Sequence, residues 1–140
     1  MLPEILVLAF LSGNAFYDLR TLTLHPYSAG AGTAVGILFC ILTGRPALSA
    51  FSAILPGGIL FLFGVLTKGL GCGDGICLMI CGLFLPAEEI WEMLAAGVLC
   101  SFPVSCVLLL RCRSRRKELP FIPCLLAGYA GILMAKVIFT

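Results

Sequence analysis

The sequence predicts an all-α polytopic membrane protein with six transmembrane helices and with both termini outside. Of its 140 residues, 61% are hydrophobic and only 11% are charged. Soluble domains carry about 25% charged residues, and they avoid the large exposed apolar patches that this composition would force on a water-soluble fold. Intrinsic disorder is excluded as well, because it requires low hydrophobicity. The length fits one transmembrane domain over residues 1–140.

Six apolar stretches define the predicted helices: 2–17, 28–43, 47–66, 75–86, 90–110 and 119–139. A spanning helix needs about 20 residues. The third, fifth and sixth stretches meet this length, the first and second are slightly short, and the fourth is clearly short. It reaches the required length only if the glycine-rich residues before Asp74 also lie at membrane depth, where irregular backbone is tolerated only beside protein or a water-filled cavity. This indicates a wet environment near Asp74.

Basic residues predict the orientation of the bundle. With the N-terminus outside, the inner loops 18–27, 67–74 and 111–118 contain seven of the nine Lys and Arg residues. Cytoplasmic loops are enriched in these residues, so both termini are expected on the outer side. A basic run after the fifth helix is expected to bind anionic membrane lipids and to help set the topology. It consists of Arg111, Arg113, Arg115, Arg116 and Lys117.

Two aspartates are predicted on the inner side, Asp18 at the end of the first helix and Asp74 at the start of the fourth. Either one alone is more simply a helix cap or a loop residue. Two carboxylates at one membrane face instead suggest an aspartic dyad, because like charges in close contact share a proton. Gly71 and Gly73 flank Cys72 just before Asp74, and residues without side chains would let backbone or an extended substrate approach the carboxylate. Tyr17 is either a hydrogen-bond donor to a carboxylate or an interfacial aromatic residue.

Three segments occur in a characteristic order: 17–21 (YDLRT), 68–74 (KGLGCGD) and 119–123 (LPFIP). In this order the sequence resembles the type IV prepilin peptidase family, the bacterial intramembrane aspartic proteases with a GxGD motif. The resemblance implies a single transmembrane peptidase domain over residues 1–140 that needs no cofactor. It also implies site residues, with Asp18 and Asp74 catalytic and with Gly71, Gly73 and Tyr17 binding substrate or shaping a loop.

The resemblance further implies a substrate and a location. The substrate is a type IV prepilin or pseudopilin with a basic leader, a glycine before the cleaved bond and a hydrophobic helix after it. The enzyme is expected in the bacterial inner membrane with its active site facing the cytoplasm. Larger members carry a zinc-binding insertion linked to N-methylation, which this chain lacks, so peptidase activity without methyl transfer is expected.

Two departures from the family pattern stand close to the aspartates. Where the family often has Ile-Pro-Asn after the first aspartate, this chain has Leu24-His25-Pro26. Where it often has a lysine two residues after the second aspartate, this chain has Ile76. His25 either tunes the dyad or is an ordinary interfacial histidine.

Two other function classes stay open at this stage. One is a small transporter or ion-conducting protein with Asp18 and Asp74 as coupling carboxylates, since intramembrane acids mark ion pathways. Against it, no acid is predicted in the middle of a helix. The other is an inactive scaffold partner of a pilus or secretion assembly, which would have no need of paired aspartates.

Nucleic acid and metal are not predicted ligands. The net charge of +2 is small, and the basic residues form no groove-like stripe. No pair among the eight cysteines has the C-x-x-C spacing of a zinc site. Gly32 and Gly36 form a G-x-x-x-G pattern that predicts close helix packing. The pattern fits packing within the chain or between chains, so a homo-oligomer stays open.

Overall fold

A computed structural model of the protein describes residues 1–21, 24–67, 72–111 and 120–140, and these segments contain six α-helices and no strand. In chain order the helices are α1 (Leu2–Thr21), α2 (Pro26–Leu42), α3 (Ala47–Thr67), α4 (Cys72–Phe84), α5 (Ala87–Arg111) and α6 (Phe121–Phe139). The all-α prediction and the number of predicted helices agree with this part of the chain. The orientation of the termini stays a prediction.

The helices differ in their capacity to cross a membrane. Within the described residues, α1, α3, α5 and α6 are long and apolar enough to span one, whereas α2 and α4 are shorter at 17 and 13 residues. The first apolar stretch was expected to be slightly short. It gains length because α1 continues past Tyr17 through Asp18 to Thr21, which makes it 20 residues long.

The shortest helix, α4, lies at the centre of the bundle. It contacts each of the other five helices, and Cys77, Leu78 and Cys81 on it are completely buried. With 13 residues, α4 is shorter than the roughly 20 residues that a helix needs to cross the bilayer. The outer helices instead expose large apolar side chains, among them Leu99 and Phe102, as expected of surfaces that face lipid. The neighbouring helices thus enclose α4, which makes its shortness tolerable.

Glycines bring α3 and α4 together at the level of their backbones. A Cβ added at Gly57 of α3 would lie 2.5 Å from the backbone nitrogen of Met79, and one added at Gly82 of α4 would lie 2.5 Å from the carbonyl oxygen of Ala53. At Gly75 the distance to the α3 backbone would be 2.6 Å. Small residues allow this approach in membrane helices, where packing contacts drive association. Any larger side chain at these positions would push the two helices apart.

The G-x-x-x-G pattern of α2 packs within the chain. A Cβ on Gly32 would lie 2.6 Å from the ring of Phe10 in α1 and 3.1 Å from Ile80 in α4, and one on Gly36 would lie 2.7 Å from Leu83 in α4. The prediction of close packing is confirmed. Both glycines therefore pack against other helices of the same chain.

At the C-terminal end of α4, an arginine from the α2–α3 connection binds the helix. The Arg45 guanidinium donates from Nη1 to the carbonyl oxygens of Gly82 (3.3 Å) and Leu83 (3.2 Å), and from Nη2 to that of Leu85 (2.6 Å). The last carbonyls of a helix have no partner within it, and a positive charge there also favours the helix dipole. Arg45 therefore fixes the α2–α3 connection to α4, at the end opposite to Asp74.

Candidate active site

Asp18 lies on the buried face of α1, near its C-terminal end. The buried residues of this helix are Val7, Leu11, Asn14, Ala15 and Asp18, a spacing that places all of them on one side. Asp18 itself is only 5% exposed. A carboxylate among apolar helices is unfavourable unless it interacts with other polar groups, so its burial makes Asp18 a candidate functional group.

Asp74 lies in the first turn of α4. The helix begins at Cys72, so Asp74 is its third residue and is not the N-cap that its position before an apolar run also suggested. The unpaired N–H groups of a helix N-terminus stabilise a carboxylate in the first turn. Asp74 is partly exposed, in contrast to Asp18. The two aspartates thus have different surroundings.

The two aspartates lie at the same end of the bundle. Leu24, which follows α1, packs against Gly73, the residue before Asp74: a Cβ added at Gly73 would lie 3.0 Å from the Leu24 Cβ. Both Asp18 and Asp74 also interact electrostatically with the buried thiol of Cys77, one turn further along α4. The end of α1 and the start of α4 therefore lie near each other, and a shared membrane face for the two aspartates stays a prediction.

The other predicted site residues are Gly73, Gly71 and Tyr17, and the structure describes the surroundings of two of them. Gly73 lies against this chain's own Leu24, so its lack of a side chain serves the approach of the α1–α2 connection. Gly71 lies outside the described residues. The ring of Tyr17 meets that of His25 edge-on, with 4.8 Å between the centroids. This contact ties the end of α1 to the start of α2.

The type IV leader peptidase family matches residues 5–113 of the sequence. The chain belongs to this family. The match covers most of the chain, from the first turn of α1 to just past α5, and so includes both Asp18 and Asp74. No curated protein and no solved structure gives a significant match. Membership makes the protein a peptidase, and its apolar helices make it an integral membrane protein.

Sequence reasoning missed a polar pair between α1 and α2. Asn14 is only 4% exposed. Its Oδ1 accepts a 2.6 Å hydrogen bond from Ser28 Oγ, and its Nδ2 donates to the carbonyl oxygen of Phe10. The available signal was a lone amide in an apolar helix, one turn before Asp18, since such residues usually face a partner inside the bundle.

His25 also has a structural role that its sequence position did not reveal. It is the N-cap of α2, and its Nδ1 accepts a 3.3 Å hydrogen bond from the backbone N–H of Tyr27. A neutral imidazole that accepts at Nδ1 carries its proton on Nε2. His25 therefore presents a donor at the end of the bundle where Asp18 lies.

The predicted lipid contact involves the end of α5 and the basic residues that follow it. Arg111 is the last residue of α5 and is exposed, whereas Arg113, Arg115, Arg116 and Lys117 lie outside the described residues. The part of the chain that the structure describes contains no cluster of three His, Cys, Asp or Glu residues that could hold a metal ion. Cys77 and Cys81 are free thiols that are completely buried on α4.

Proposed function

We propose that the protein is an intramembrane aspartic endopeptidase that removes the leader peptide of type IV prepilin-like substrates, with Asp18 and Asp74 as the catalytic pair. The observation that supports this proposal is that Asp18 and Asp74 lie at the same end of the bundle, where α1 ends and α4 begins, in a member of a leader peptidase family. A scaffold has no need of such a pair. Family membership favours peptide hydrolysis over ion coupling.

The chemistry follows from the shared proton of a carboxylate pair. The ionised member takes a proton from a water molecule, whose oxygen attacks the scissile carbonyl carbon, while the protonated member donates its proton to the carbonyl oxygen. The tetrahedral intermediate then collapses: one carboxyl group protonates the nitrogen, the C–N bond breaks to release the amine, and the other carboxylate takes the proton of one hydroxyl group as the carbonyl group re-forms. The two groups titrate as a unit, so neither aspartate is assigned one fixed role.

The proposed location is the cytoplasmic face of the bacterial inner membrane. Seven of the nine basic residues lie in the sequence segments 18–27, 67–74 and 111–118 that connect the helices next to Asp18 and Asp74, and the positive-inside rule favours the cytoplasm for such segments. A prepilin or pseudopilin would lay its hydrophobic helix in the bilayer against the enzyme and keep its leader in the cytoplasm. The basic run 111–117 repels a basic leader and is proposed to bind anionic lipid.

The test is leader removal from a candidate prepilin co-expressed with the protein, followed on a gel. Asp18→Asn and Asp74→Asn keep the shape of each side chain and remove its charge. Each is expected to lower the cleavage rate by about 10²–10⁴-fold, the usual contribution of general acid–base groups. The matched control is Glu92→Gln, which neutralises an exposed acid on α5 and should cleave at the wild-type rate. Normal cleavage by either aspartate variant would refute the dyad.

A further inference from the structure

A groove runs between α1 and α2 and ends beside the candidate active site. Its volume is about 470 Å³. Its apolar part is lined by Leu6, Phe10 and Val35. Its polar end, nearest Asp18, is lined by Tyr17, His25 and the hydrogen-bonded pair Asn14–Ser28. None of the lining residues is Asp, Glu, Lys or Arg. The groove therefore suits an uncharged occupant that is apolar along most of its length and polar at one end.

The dimensions of the groove match one side of a helix. Eleven positions separate Leu6 from Tyr17, which is about 16 Å along a helix axis. A helix about 10 Å wide fills roughly 1,300 Å³ over that length. A groove of about 470 Å³ thus receives the side chains of one helical face and leaves the other face to the bilayer.

Gly13 leaves this groove open at its middle. A Cβ added at Gly13 would have no atom within 4 Å, although the residue lines the groove. The glycine therefore opens a shallow site between Phe10 and Tyr17, five residues before Asp18. A second helix can approach α1 closely at this point.

The polar end offers hydrogen-bond donors where a substrate helix must unwind. Peptide bonds inside a helix are shielded, so the segment at the cleaved bond has to leave the helical conformation. Its freed carbonyl groups then need partners at membrane depth. The Tyr17 hydroxyl and the Nε2–H of His25 are donors at this end, next to Asp18. A lipid acyl chain would fill the apolar walls but has no use for these donors.

We propose that the α1–α2 groove binds the apolar helix of the substrate directly after the cleaved bond, with Tyr17 and His25 pairing with its unwound end. The inference rests on the proposed function, because it assigns the substrate's place at that same site. It makes α1 both the carrier of Asp18 and one wall of the substrate site. The apolar helix then guides the cleaved bond toward the aspartates.

The test places a larger side chain in the groove from α1 or from α2 and compares each variant with the same substitution on another helix. Gly13→Leu fills the groove from α1, and its control is Gly131→Leu on α6, where an added Cβ also has no atom within 4 Å. Val35→Phe narrows the groove from α2, and its control is Val98→Phe on α5; the two valines are 48% and 51% exposed. Each groove variant should raise KM for the substrate about tenfold, the effect of losing the burial of one large apolar side chain. The controls should keep the wild-type KM.

A second measurement is independent of catalysis. A photoreactive residue in the apolar helix of the substrate is cross-linked to the Asp74→Asn enzyme, and the attachment sites are mapped. Cross-links are expected in α1 and α2, with their yield lowered about tenfold by Gly13→Leu and unchanged by Gly131→Leu. If the wild type cleaves but cross-links map elsewhere, or if groove and control variants have equal KM, the groove inference is wrong and the proposed function stands. A wild-type enzyme that leaves the substrate intact overturns both.

Discussion

The α3–α4 and α1–α2 interfaces both contain glycines, but the first is closely packed and the second leaves a groove. Between α3 and α4, glycines let the two backbones touch at several levels, as at Gly57 and Gly82. Between α1 and α2, the Phe10 ring fills the space over Gly32, while Gly13 faces open space beside a groove. Each aspartate belongs to one side of this contrast. Asp74 is on the tightly packed α4, and Asp18 is on a helix that borders the groove.

This difference suggests a division of roles between the two parts of the candidate site. A closely packed α3–α4 pair holds Asp74 in place, because any shift would bring backbone atoms into collision. The α1–α2 pair is held mainly by side-chain contacts, such as the Asn14–Ser28 hydrogen bond, and leaves room for another helix. A rigid α3–α4 pair next to an open groove fits an enzyme that must hold its catalytic groups and admit a long substrate.

The largest expected effect comes from adding one methyl group to the α3–α4 interface. Gly57→Ala would place its Cβ 2.5 Å from the backbone nitrogen of Met79, so the helices must separate. We expect a loss of about 3 kcal/mol in the free energy of unfolding, measured by thermal unfolding in detergent micelles. The neighbouring Gly58→Ala meets no atom within 4 Å and should be neutral or stabilise by about 0.5–1 kcal/mol. Equal effects of the two substitutions would contradict the close contact.

The next effect concerns the arginine that binds the end of α4. Arg45→Gln removes a charged donor from three carbonyl groups and should lower the free energy of unfolding by about 2 kcal/mol. Arg45→Lys keeps the charge but loses the planar fork, and should fall between the two. The same unfolding measurement compares the three proteins. A lysine variant as stable as the wild type would show that charge alone matters.

A smaller effect is expected from the polar contact between α1 and α2. A double-mutant cycle with Asn14→Ala and Ser28→Ala isolates the 2.6 Å hydrogen bond between them. The expected coupling is about 0.6 kcal/mol, the average for interhelical hydrogen bonds in membranes. A coupling several times larger would mean that α1 and α2 are held as firmly as α3 and α4, and the contrast between the interfaces would fail.

The smallest effect belongs to an ion pair outside both interfaces. Lys136 of α6 donates to Glu89 of α5 at 2.9 Å, and the lysine side chain is 42% exposed. Lys136→Met should lower the free energy of unfolding by about 0.5 kcal/mol, and the difference should shrink in high salt. Lys136→Arg should restore it. A loss that does not respond to salt would indicate that the pair is shielded from the solvent.

Much of the fold could be predicted because it depends on local composition. Apolar runs of helical length, separated by charged or proline-containing segments, located all six helices, and the shortness of the fourth stretch reappears in α4. The boundaries were less predictable. Helix α1 continues past Asp18 to Thr21, because a buried carboxylate does not end a helix whose backbone bonds are satisfied. The sequence also does not reveal that Gly57, which follows Pro56 inside α3, contacts the backbone of α4.

The candidate site could be predicted only in part, because the sequence shows rare charged residues but not which polar residues pair with each other. Asp18 and Asp74 stand out in a chain with few charges, and alternating helices bring them to one end. Asn14 and His25 do not stand out, because an amide or an imidazole becomes informative only when its partner is known. Ser28 is fourteen positions from Asn14 in the sequence. The hydrogen bond from Tyr27 to His25 depends on α2 starting directly after His25.

The sequence by itself determined the membrane class, the six helices and the two aspartates, since each depends on the identity and order of residues along the chain. The tertiary structure alone decided that α4 lies at the centre, that Arg45 binds its far end, and that α1 and α2 leave a groove beside Asp18. These features depend on which faces meet across the bundle. Glycine permits close packing wherever it occurs, but only the neighbouring helix determines whether the space it leaves is filled.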